Sequence, residues 1–159
     1  MRMKNSFLIA LLAFSVSAFA QGKDEAAVIR EMYGKAKKDL VGSYMGLPEA
    51  KAAPFWEVYN AYETDRKSLA DTRMMLIGNY IDKYKTLNDA EADVLAKNML
   101  SNNLDYDKLN SKYYKKMKKV LGPLDAAKFI QLENYIQTGI RNELQNALPL
   151  IGEIDRKKK

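Results

Sequence analysis

The chain has 159 residues with neither cysteine nor histidine, and its 26 basic against 20 acidic side chains give a formal charge of +6. Those two zeros exclude a Ser-His-Asp triad, a thiol nucleophile and any imidazole or thiolate metal site, and they leave packing alone to hold the fold. A hydrophobic content of 47% argues against wholesale disorder, and the length suits one domain.

Residues 1–20 read as a signal peptide: basic MRMKN, the apolar run FLIALLAF, then an Ala-x-Ala site at Ala18, Phe19 and Ala20. The apolar run is shorter than the roughly 20 residues of a bilayer span. Cleavage after Ala20 would place the mature chain in the periplasm. It would also lower the charge from +6 to +4, because Arg2 and Lys4 leave and no acid does. Residues 21–155 then form a single domain, and the RKKK at 156–159 a solvated basic tail.

The spacing predicts four helices and no strand. Residues 24–41 place Val28, Ile29, Met32, Tyr33, Ala36 and Leu40 at helical steps with acids first and lysines last, and GSYMG at 42–46 is expected to break this helix. The second helix begins at Pro48 or Pro54 and runs to about Tyr84, carrying Phe55, Val58, Tyr59, Tyr62, Leu69, Leu76, Ile77 and Tyr80. Asn88 and Glu91 form a capping-box pair ahead of the third helix, whose stripe is Leu95, Met99, Tyr106, Leu109, Tyr113, Met117 and Val120. Gly122-Pro123 ends that helix. Asp125 then favours the start of the fourth, which presents Phe129, Leu132, Ile136, Ile140, Leu144 and Leu148 before Pro149. The break at 122–125 reverses the chain so that Phe129, Leu132 and Ile136 cover the stripe led by Tyr113 and Met117.

Each junction puts Leu before a helix-starting cluster: LPEAKAAPF, LNDAEADVL and LGPLDAAKF. With these junctions the chain resembles the Spy/CpxP family of periplasmic proteins, whose signature is Leu-Thr-x-x-Gln ahead of helices. Leu47 to Lys51 sits where a first such motif falls, and Leu121, Pro123 and Asp125, followed by Phe129, look like a second. Thr is replaced by Pro48 and Gly122, and Gln by Lys51 and Asp125. The resemblance implies an all-α fold built on a long antiparallel helical hairpin and a curved homodimer. It also implies an ATP-independent holder of unfolded clients, or a regulator bound to one folded signalling partner.

The residues that could carry such a role centre on KYYKKMKK. Lys112, Lys115 or Lys116, and Lys119 form a basic ridge beside Tyr113, Tyr114 and Met117, and Arg66, Lys67 and Arg73 of the second helix would enlarge it if the two helices are antiparallel neighbours. Lysines would steer an acidic or partly unfolded chain while Tyr and Met supply adaptable contact. The same pattern also describes an ordinary helix with core on one side and solvent on the other. The expectation is a non-enzymatic protein without cofactor or metal: Asp105-Tyr106-Asp107 lacks the Gly turn and distal Glu of a calcium loop, and the glycines form no phosphate loop. Export and interleaved acids argue against nucleic acid despite a pI near 9.3, while electrostatic contact with a membrane surface stays open.

Overall fold

The computed structural model describes residues 23–151, with side chains from Tyr33 onward; the signal-peptide and tail expectations fall outside those residues. Four helices follow in order: α1 Lys23–Met45, α2 Glu49–Lys83, α3 Asp89–Leu121 and α4 Pro123–Ala147. The chain is all-α, as the periodicity predicts, and no strand occurs among the described residues.

Contacts fix the direction of every helix. Asp65 meets Lys112, Arg73 meets Asn102 and Lys83 meets Glu91, so α2 and α3 form an antiparallel hairpin. Asn110 bonds Asn134, which sets α4 antiparallel to α3. Lys37 reaches both Glu63 and Glu133, placing α1 antiparallel to α2 and to α4. The result is an up-down-up-down bundle in which α2 and α4 run parallel across the diagonal. At 1.5 Å per residue the 35 residues of α2 extend about 52 Å.

Local chemistry explains the boundaries. The Asn88 side chain accepts from the Glu91 amide while the Glu91 carboxylate accepts from the Asn88 amide, closing the expected capping box. At the first junction α2 starts at Glu49, with Pro48 as its N-cap and the Pro48 carbonyl accepting from the Lys51 and Ala52 amides. Pro54 therefore lies inside the helix. The expected break at 42–46 is corrected: α1 runs on through Gly42 to Met45, and the chain turns only at Gly46, whose φ of 55° suits glycine. Gly42 serves packing instead, since a β-carbon there would lie 3.3 Å from the Trp56 ring.

The core joins all four helices. Phe129 makes edge-to-face contacts with Phe55 and Tyr62, at 5.9 and 5.3 Å between ring centroids, and Tyr62 does the same with Tyr113 at 5.3 Å. Val41, Met45, Met117, Leu121, Leu132 and Ile136 fill the space around these rings. Phe129, Leu132 and Ile136 thus cover Tyr113 and Met117 as the break at 122–125 predicts.

Gly122 adopts φ 91° and ψ 168°, backbone that is essentially glycine territory. Gly122→Ala should cost about 1–3 kcal/mol on that ground. Gly139→Ala, inside α4 with open space around it, should instead stabilise by up to about 1 kcal/mol. Chemical denaturation of the two variants beside the parent checks the opposite signs.

Candidate functional site

The bundle buries a charged cluster that periodicity alone does not suggest. Lys37 of α1 has a side chain only 1% exposed, and its ammonium donates to Glu63 Oε1 of α2 at 2.5 Å and to Glu133 Oε2 of α4 at 2.9 Å. The same Nζ lies 5.4 Å from the Tyr62 ring centroid and 5.8 Å from that of Tyr59, within cation–π range. Arg66 holds Glu63 through two bonds, Nε to Oε1 at 2.8 Å and Nη2 to Oε2 at 3.0 Å, and the Tyr62 hydroxyl donates to Glu133 Oε2 at 3.0 Å. Two cations face two carboxylates, so the cluster is formally neutral.

Burial raises the hydroxyl pKa of Tyr62, Tyr59 and Tyr33, and the neighbouring carboxylates add to the effect. Burial also works against ionised Glu63, but the Arg66 hydrogen bonds and the Lys37 charge outweigh it and hold the carboxyl below its ordinary value. Glu133 Oε1, Gln137 Nε2 and the hydroxyls of Tyr33 and Tyr59 have no hydrogen-bond partner among the described residues.

A second group of contacts joins the two junctions. Lys51 Nζ donates to the Leu121 carbonyl and to Asp125 Oδ2, both at 2.9 Å, and Lys128 Nζ donates to the Met45 carbonyl at 3.0 Å. Lysines from neighbouring helices thus cap the C-termini of α1 and α3. Lys51 and Asp125, one from each of two junctions, thus bond each other across 74 residues of sequence. No protein-family model matches the chain, and no curated protein or solved structure is significantly similar to it.

The residues singled out from sequence divide sharply. Tyr113 and Met117 are buried in the core and Arg66 belongs to the charged cluster, so none of these three lies on an open surface. Burial and a hydrogen bond to Asp65 raise the Tyr113 hydroxyl to about 12. Lys112 pairs with Asp65 at 2.7 Å, and Arg73 donates to Asn102 and Asn103 while stacking on Tyr106. Lys67, Lys115, Lys116 and Lys119 are exposed and Tyr114 is half-buried. Lys116 lies over the Tyr113 ring at 4.9 Å, and Lys118 over Tyr114 at 5.8 Å. The single Trp56 stacks edge-on against Phe55 and Tyr59 at the junction end of the bundle.

Sequence reasoning missed Lys37, Glu63 and Glu133. A readable signal existed, because Lys37 stands midway between Tyr33 and Val41 at steps of four, and Glu133 between Phe129 and Gln137 at the same steps.

Lys37→Met should destabilise the bundle by about 3–5 kcal/mol, since it strands Glu133 without a cation. Adding Glu133→Leu should recover part of that loss, and a denaturation double-mutant cycle measures how much. The pH dependence has a definite sign. Glu63 has a lowered folded pKa, so the stability it contributes is present above its ordinary value near 4.5 and is lost as the pH falls through the folded value. Glu63→Gln should flatten the acid limb of a stability profile recorded from neutral pH downward.

Proposed function

We propose that this is a non-enzymatic periplasmic protein that holds partly unfolded polypeptides without nucleotide, using the outward face of α3. The observation that carries the reading is one continuous stripe. Leu100 and Leu104 stand 67% and 52% exposed, and helical steps from Leu104 continue through Lys108 and Ser111 to Lys115 and Lys118. Two of its six residues are apolar, three are basic and one is a serine. An unfolded segment with acidic and apolar residues can lie along it loosely in many registers, the lysines steering its approach.

Burial of Tyr113 and Met117 moves the apolar part of the surface away from the residues expected on sequence grounds. Leu100 and Leu104 supply it instead. A groove at the far end of the hairpin, lined by Leu76, Leu87, Ala90, Val94 and Leu95 and about 410 Å³ in volume, adds apolar contact there. The export signal and the Spy/CpxP-like junctions point in the same direction.

A second reading, docking on one folded signalling protein, is favoured by a different observation. Around the two junctions, residues 42–52 and 114–128 carry lysines 51, 115, 116, 118, 119 and 128 against only Glu49 and Asp125. Such an end suits an acidic patch on a single partner.

Light scattering of a denatured client diluted into buffer with the protein tests the first reading. Suppression near stoichiometric ratio should weaken at high salt and fall several-fold in both Leu100→Ser/Leu104→Ser and Lys115→Glu/Lys116→Glu. Suppression that is absent for several clients, or unchanged in both variants, overturns it. A single crosslinked folded partner then supports the second.

A further inference from the structure

The two fully buried cations among the described residues face acids: Lys37 holds Glu63 and Glu133, and Arg66 holds Glu63. Two half-buried arginines do not. Arg73 of α2 and Arg141 of α4 take part in none of the ion pairs among the described residues.

Both guanidiniums come to one ring. The central carbon of Arg73 lies 5.0 Å from the Tyr106 centroid and that of Arg141 5.3 Å from it, each within cation–π range. Arg73 also donates to the side-chain oxygens of Asn102 and Asn103, which are polar but uncharged. Arg141 makes no hydrogen bond among the described residues. Three helices thus bring two positive charges to a tyrosine that is only 4% exposed, and they bring no carboxylate with them. Burial first, and then the Arg141 charge, lower the Arg73 pKa, so the arrangement works against itself as it stands.

A ring face attracts a cation without neutralising it. Charge withdrawn from water is ordinarily met by counter-charge, and a guanidinium presents a planar fork of donors that matches carboxylate or phosphate oxygens. One carboxylate would balance one of these arginines, whereas a tetrahedral dianion would balance both. A further donor stands beside them. Gln137 lies one turn before Arg141 on α4, close enough for the two side chains to be neighbours. The residue is 9% exposed, and its Nε2 is buried with no hydrogen-bond partner among the described residues. A buried N–H donor left without an acceptor is costly, and an oxyanion held by Arg141 supplies acceptors.

We propose that Arg73 and Arg141, gathered on the Tyr106 ring with Gln137 as a further donor, form a binding site for a doubly charged tetrahedral oxyanion of the phosphate class, as the free ion or as the head of a phosphate monoester. The site does not use the leucines and lysines on the outward face of α3, so it stands or falls separately from client holding.

Titration calorimetry of the full chain at constant ionic strength tests this, at about pH 7.5 so that phosphate is mainly dianionic. Inorganic phosphate and sulfate should each saturate one site per chain and bind several-fold more tightly than acetate. Glycerol 3-phosphate then separates the sources: affinity at least equal to that of phosphate assigns the site to an ester, and loss of affinity assigns it to the free ion. Arg141→Gln should weaken phosphate several-fold. Because Arg141 makes no hydrogen bond or ion pair among the described residues, this variant should keep its helices, which circular dichroism checks. Lys97→Gln removes the same charge from a side chain 72% exposed on α3 and should leave phosphate affinity unchanged. Phosphate binding no tighter than acetate overturns the proposal. Equal weakening by Arg141→Gln and Lys97→Gln shows general attraction to a basic chain and overturns it, as does unchanged affinity in Arg141→Gln.

Discussion

The organisation of the bundle depends on one ammonium. Lys37 is the only side chain among the described residues whose ion pairs tie α1 to both α2 and α4, and it neutralises Glu133, a carboxylate with no exposure to water. Removing a charge of that kind from water costs several kcal/mol unless a partner is in place. The register of α1 is therefore set by where its lysine must sit, since a one-turn slip would leave Glu133 unpaired and Lys37 in apolar surroundings. Arg66 has the matching task for Glu63, and because both belong to α2 their bond forms within a single turn. The aromatic core supplies cohesion and the charged cluster supplies register.

The junction end extends the same logic outward. Lys51 and Lys128 reach from one helix to the last carbonyls of another, so the ends of α1 and α3 are completed by side chains from elsewhere in the chain. These contacts leave the outer face of α3 free of tertiary duties, and there exposed leucines and lysines lie in one line.

Much of the fold was legible in the sequence because helices advertise themselves through period, caps and breakers. The Asn88 capping box, the Gly122-Pro123 stop and the stripe from Tyr106 to Met117 all appear as read. Gly42 misled because glycine signals both flexibility and closeness, and only the arrival of Trp56 from the next helix shows which applies. The candidate surface was less legible. Tyr113, Met117 and Arg66 have a composition suited to binding; the break at 122–125 already foretells the cover over Tyr113 and Met117, whereas the burial of Arg66 depends on helix placement that no local pattern encodes. The charged cluster was hidden for a related reason: its members are separated by as many as 96 residues and come together only when α1, α2 and α4 are assembled.

Trp56 gives the molecule a built-in reporter. It is the only tryptophan in the chain, and its ring lies against Gly42 of α1, edge-on to Phe55 and Tyr59 and under the Lys38 ammonium at 5.1 Å. Phe55 and Tyr59 belong to the same helix as Trp56, whereas Gly42 and Lys38 are its neighbours only while α1 is seated. The indole emission thus reads out, without any label, whether the first helix is seated on the second.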